Sequence, residues 1–155
     1  MPLARLVGVL RPEMLEVAHD QADGVHSFFV PPTHTSLARA VLGPGRLLMP
    51  EQAVVLATDA AEARGIAREH TDFYLRLPNR RNNLRTLGYS DDDFDAGGSD
   101  RLVDALAVWG DETVIARRIG EHLGAGADHV PLQPLRGLGA AVDQLERLAQ
   151  AVLHG

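Results

Sequence analysis

Short apolar runs alternate with helix-patterned segments along almost the whole chain, and this alternation constrains the fold more than any other feature. Residues 3–10, "LARLVGVL", are rich in Leu and Val and fit a strand buried on both faces. Pro12 suits the first turn of a helix. Met14, Leu15, Ala18 and Ala22 follow at helical spacing, and Gly24 ends the unit. The aromatic and β-branched run "VHSFFV" (25–30) predicts a second strand, stopped by Pro31 and Pro32. Thr33 or Thr35 is placed to cap a helix carrying Leu37, Val41 and Leu42, which Gly43 closes.

The pattern continues with a third strand over 52–57. Asp59 then caps a helix, and Glu62 three residues later completes a capping box in outline. Ala63, Ile66, Ala67, His70 and Tyr74 make its apolar side, and Pro78 interrupts it. A short helix over 80–87 ends at Gly88. The acidic segment 90–100 reads as a loop. Ser99 caps a helix running to Trp109, with Gly110 as its stop, and Asp111 caps the next. A fourth strand is expected over 129–133 and a last amphipathic helix over 139–153. Strands alternating with helices imply parallel pairing through right-handed crossovers. Four such strands form either an open sheet or an arc of a (β/α)8 barrel, and periodicity does not separate the two.

The 155 residues suit one domain, 1–155, with the helices of about 79–110 as an insertion before the last strand. No apolar run reaches the ~18–20 residues that span a bilayer, and the N-terminal segment lacks the organisation of a signal peptide. There is no cysteine, hence no disulfide or thiolate chemistry. These features lead to the expectation of a cytoplasmic protein. All fifteen basic residues are Arg, yet the net charge is −6, which argues against a nucleic-acid partner. The cluster Arg76, Arg80, Arg81 and Arg85 reads as a solvated helix face.

Five segments discriminate further: "LRPEMLEVAHDQADGVHSFFVPPTHT", "PEQAVVLATD", "NNLRTLGYSDDDF", "GGSDRLVDALAVWGDETVIARRI" and "HLGAGADHVPLQPL". In this order they resemble the C-terminal half of luciferase-like oxidoreductases that depend on a flavin or on the deazaflavin coenzyme F420. The resemblance covers about residues 3–136. It implies an α/β fold of four parallel βα units, equivalent to strands five to eight of a (β/α)8 barrel in proteins of roughly twice this length. It also implies coenzyme F420 or FMN as cofactor, transferring hydride to, or oxygenating, a small organic substrate. The alternative is a noncatalytic half-barrel module that self-associates and binds flavin without turnover. Neither the residues nor the resemblance singles out a general acid or base.

The resemblance places a cofactor phosphate at the turn after the first strand, onto Leu10, Arg11, Glu13 and Met14. Elementary electrostatics agrees, since the free N–H groups of a helix start favour an anion. His34 is expected in the loop after the second strand on the ligand side, as a further cofactor contact. His26 is expected at the opposite end of that strand, so the two make no metal pair. His70, His122 and His129 read as structural or surface residues. Asp91, Asp92, Asp93 and Asp95 lack the ligand spacing and central Gly of a calcium loop. Dinucleotide, P-loop and nucleophile-elbow patterns are absent. Trp109 reads as a packing anchor at a helix end. Phe28, Phe29, Phe73 and Tyr74 read as core residues, with Phe29 the one candidate for a flavin wall. Half a barrel exposes two apolar sheet edges, which predicts a homodimer closing them, tempered by Pro131 and Pro134 in the last strand.

Overall fold

The computed structural model describes residues 3–136 and 138–153. The first part runs β1 (Leu6–Gly8), α1 (Pro12–Gln21), β2 (Gly24–Ser27), α2 (Pro32–Leu42) and β3 (Leu47–Pro50). Then come β4 (Gln52–Val55), α3 (Ala60–Leu75), α4 (Pro78–Thr86), a 3-10 helix (Asp91–Gly97) and α5 (Asp100–Leu106). The chain ends with β5 (Ala107–Trp109), α6 (Glu112–Gly124), β6 (Leu132–Pro134) and α7 (Leu138–Leu153). No helix among the described residues is long and apolar enough to cross a membrane.

The strands form two parallel three-stranded sheets, ordered β1-β2-β3 and β5-β4-β6. Parallel pairing is as expected. The expected third strand is β4, ending at Val55 rather than at residue 57, and two further strands, β3 before it and β5, were not expected. β3 and β4 flank Glu51 in one extended segment. The ladder with β2 runs to Pro50 opposite Ser27, and the Glu51 N–H still donates to the Ser27 carbonyl at 2.7 Å. Beyond it Gln52 donates to the Pro131 carbonyl at 2.9 Å, and β4 lies between β5 and β6. The helix expected to reach Trp109 ends at Leu106. Residues 107–109 leave it as β5, since their backbone groups find partners on β4. The last strand starts at Leu132 rather than at residue 129.

The second strand stops at Ser27 because Phe29 has φ 60°, outside any β ladder. That turn drives the Phe29 ring into a cluster with Leu75, Leu84, Phe94, Leu102 and Leu106. Phe73, expected in the core, is 62% exposed. Asp59, Ser99 and Asp111 cap as expected, accepting from the N–H groups of Glu62 (2.8 Å), Leu102 (3.2 Å) and Val114 (3.0 Å). Thr33 and Thr35 lie inside α2, whose cap position is Pro31. The acidic segment, expected as a loop, forms 3-10 turns broken by a kink at Asp95 and Ala96, and Asp93 accepts there from the Ser90 N–H, the Ser99 hydroxyl and Arg101. The Ser99 hydroxyl, followed by Ser90 and Arg101, holds its carboxyl down at about 2.

The core follows the strand alternation. Val25 and Leu48 pack with α1 and α2 through Leu15, Ala18, Ala38 and Leu42. Ala53 and Val55 face α3 and α5, while Val54 faces Ile115 and Ile119 of α6 and Leu148 of α7. β4 is buried on both sides, as parallel strands are. β1, expected to be equally buried, is exposed throughout, with Leu6 and Val7 at 38% and 37%. Among the described residues it pairs with β2 alone. Beside it Val7, Val9, Met14, Val17 and Ala18 line an open groove of about 240 Å³.

Candidate functional site

The C-terminal ends of β1 and β2 lie side by side, in register from Leu6 opposite Gly24 to Gly8 opposite His26. The backbone then diverges, β1 toward the start of α1 and β2 toward Phe28. The wedge between them holds a pocket of about 210 Å³. Gly8, Val9, Leu10, Arg11 and Met14 form one wall, and His26, Ser27 and Phe28 form the other. Asn79 and Arg80, from the start of α4, close it from above. Ligands of parallel α/β proteins bind at this end of the strands.

Three of the expected site residues, Leu10, Arg11 and Met14, line this pocket. Arg11 takes the cap position of α1 without a side-chain cap, and its guanidinium sits 3.8 Å from Glu13. Glu13 itself turns to a separate hollow of about 290 Å³, shared with Asn82, Asn83 and Thr86. His34 is in α2, 3% exposed, and not in a loop. Its Nε2–H donates to the Leu10 carbonyl at 2.8 Å, so it fixes the turn after β1 from behind. It borders an apolar hollow of about 240 Å³ with Leu15, Leu37 and Val41. Burial pushes its imidazole down, and the Arg80 charge adds to this.

His26 corrects the expected arrangement. Because β2 ends at Ser27, His26 stands near the C-terminal end of the strand and lines the pocket. Its Nδ1–H donates to the Met49 carbonyl at 3.0 Å, and its ring stacks on Phe28 with centroids 6.1 Å apart. Phe28, rather than Phe29, is the aromatic wall.

Arg80 is the second correction, and the residue that sequence reasoning missed. It does not belong to a solvated face, being 7% exposed. Its neighbours in sequence fit the expectation better: Arg76 pairs with Asp72 and Arg85 with Asp91. The Arg80 guanidinium lies 3.9 Å over the Phe28 ring, and Nη1 donates to the Phe28 carbonyl at 2.9 Å. Among the described residues its Nε has no partner, and neither has the buried Ser27 Oγ on the opposite wall. Burial pushes the Arg80 pKa below its ordinary value. The pocket lining contains Arg11, Arg80, His26 and Ser27 but no carboxylate. Such a donor set stabilises an oxyanion and offers no acid–base pair. Among the described residues no group of three His, Cys, Asp or Glu is placed to hold a metal ion. The only sequence signal for Arg80 is its place two residues after Pro78, which puts it in the first turn of α4, facing the sheet.

Neither a protein-family model nor a curated protein matches the chain. Solved structures do. An F420-dependent secondary alcohol dehydrogenase, in complex with an F420-acetone adduct, superposes with a TM-score of 0.68 at 11% identity, over 98% of this chain and 49% of its own. EDTA monooxygenase from Chelativorans sp. BNC1 gives 0.68 at 13% identity, over 99% and 44%. Coenzyme F420-dependent tetrahydromethanopterin reductase from Methanopyrus kandleri gives 0.63 at 18% identity, over 85% and 45%. The chain therefore shares the fold of part of these oxidoreductases and of this monooxygenase. The chain spans a little under half the length of each of these three proteins.

Proposed function

We propose that the chain is one half of a luciferase-like (β/α)8 barrel, four βα units equivalent to strands five to eight, and that it holds part of a coenzyme F420 or FMN molecule for an oxidoreductase or monooxygenase reaction. The segment 79–110, helices followed by the short strand β5, is then an insertion in a single domain. The observation that carries this reading is the pocket at the strand ends, lined by Leu10, Arg11 and Met14 at the turn where the resemblance puts a cofactor phosphate. Leu10, Arg11 and Met14 meet the cofactor, while His34 holds the turn from behind through the Leu10 carbonyl, and Glu13 faces the separate hollow. The orphaned donors Ser27 Oγ and Arg80 Nε fit the anionic end of such a cofactor. The bound cofactor supplies the redox chemistry, and the protein supplies binding and orientation.

The pocket's 210 Å³ is smaller than the ~300–1,000 Å³ typical of small-molecule sites. A tricyclic ring therefore has to extend beyond it. The exposed β1 edge and the groove beside it favour closure by a second copy, whose strands cover both and complete the ring site. A cytoplasmic homodimer is the form in which the site is whole. Light scattering after size exclusion is expected to give about twice the 16.7 kDa of one chain, and a clean single-chain mass would defeat closure. Titration with FMN and with F420, followed by cofactor fluorescence, is expected to show binding of one of them. No binding of either at ~100 μM, where even a weak site of about 5 kcal/mol is half filled, would defeat the cofactor assignment. Binding without reduction by any donor would favour the noncatalytic module.

A further inference from the structure

The pocket's buried donors define more than a place for a ligand. Arg80 is held by an aromatic face and one carbonyl, and among the described residues no carboxylate pairs with it. A second ring, Tyr74, lies 5.7 Å from its guanidinium carbon. Burying an uncompensated cation costs several kcal/mol, which a packed site tolerates when a counter-charge arrives later. Ser27, 1% exposed with an unbonded hydroxyl, repeats the signal from the opposite wall. Arg11 and the uncapped start of α1 add positive potential at the same mouth. The nearest acids, Glu13 and Glu51, are turned to Arg11 and His26 and do not line the pocket.

We infer that Arg80 and Ser27 form an oxyanion subsite, which takes a phosphate or carboxylate group of the bound ligand between the β2 end and α4. The inference rests on the pocket reading above and adds the chemical class of the group and the two side chains that select it. Arg80 and Ser27 both line the pocket, and the Arg80 Nε–H and the Ser27 hydroxyl, unpartnered among the described residues, are the donors that such a group would engage. The oxyanion belongs either to the cofactor or to the substrate.

Thermal unfolding in inorganic phosphate against chloride at matched ionic strength tests the subsite itself. Phosphate is expected to raise the melting temperature of the wild-type protein, by binding only the folded state. Arg80→Met is expected to abolish that rise, while its unliganded melting temperature stays level or increases because a buried lone cation is gone. Ser27→Ala, a near-isosteric change, is expected to weaken phosphate binding about tenfold, the worth of a hydrogen bond to a charged group. It keeps the test decisive if Arg80→Met fails to fold. No phosphate response in the wild type, or a response of wild-type size in both variants, would overturn the subsite.

Binding of FMN and riboflavin then locates the oxyanion. If FMN binds about tenfold tighter than riboflavin, and Arg80→Met removes the difference, the group is the cofactor's phosphate. If both flavins bind alike and the phosphate response stays dependent on Arg80, the group is carried by the substrate. If neither flavin nor F420 binds while phosphate still acts through Arg80, the oxyanion subsite stands and the cofactor assignment falls.

Discussion

Acidification from pH 7 to pH 4 is expected to remove about 3 kcal/mol of folding stability through His122 alone. His122 is fully buried at the contact of α6 with α2 and β4. Gln52 Nε2 donates to the carbonyls of Ala53 (2.8 Å) and Leu106 (3.1 Å), so its Oε1 must accept. It accepts from His122 Nε2–H at 3.0 Å. His122 Nδ1 is then the acceptor for the Thr35 hydroxyl at 2.8 Å. Every polar atom of this network is matched to a neutral ring. Burial first, then the charges of Arg118 and His34, push the His122 pKa from 6.5 down to about 4. In the unfolded chain the ring binds a proton below about 6.5, and in the folded chain only below about 4. The unfolded state therefore holds more protons in that window, and stability falls as pH falls through it. Burial lowers His34 and His70 as well, so their contributions have the same sign. Urea unfolding of wild type and His122→Gln across pH 4–7 checks this. The variant is expected to start less stable and to lose less on acidification, and parallel curves would refute the assignment.

Gly24→Ala is expected to cost about 3 kcal/mol, the upper end of the overpacking range, as a drop in the urea midpoint at neutral pH. Gly24 does not end the α1 unit, as its spacing implied. The helix stops at Gln21, with Ala22 as cap, and Gly24 opens β2 between Leu6 of β1 and Leu47 of β3. A Cβ there would stand 2.5 Å from both Leu47 Cβ and the Leu47 carbonyl oxygen, and 2.8 Å from a Leu6 methyl. The Leu6 methyl can swing away, but the Leu47 backbone is tied into the ladder and cannot move without opening it. Glycine is needed here for close approach, not for an unusual φ. The pocket wall hangs on the same strand, so the variant is also expected to weaken ligand binding in step with stability. A midpoint within experimental error of wild type would show that the sheet relaxes at no cost.

Much of the fold was legible in local chemistry. Pro12 at the first turn of α1 and the caps at Asp59, Ser99 and Asp111 needed only residues within one helical turn. The turn from Leu10 to Met14 was likewise marked by a strand-like run meeting a proline. The candidate site was legible on that side only. Its other wall was misread, with His26 expected at the far end of its strand, His34 in a loop rather than inside α2, and Arg80 on the surface.

The sequence by itself determined which segments are helical, where most helices begin, and that strands pair in parallel. Those properties depend on a period of 3.6 or 2 and on cap hydrogen bonds reaching three residues along the chain. Only the tertiary structure decided that residues 47–50 and 107–109 join the sheets as strands, that β1 lies bare at an edge, and that Arg80 is buried. The hydrogen bond that holds Arg80 in the pocket runs to Phe28, 52 residues away. The turn that presents the Phe28 ring comes from Phe29 at φ 60°, a conformation set by the packing of its ring against Leu75, Leu84 and Phe94. Burial and pairing are properties of distant segments brought together, and no local periodicity encodes which arginine among four will lose its water.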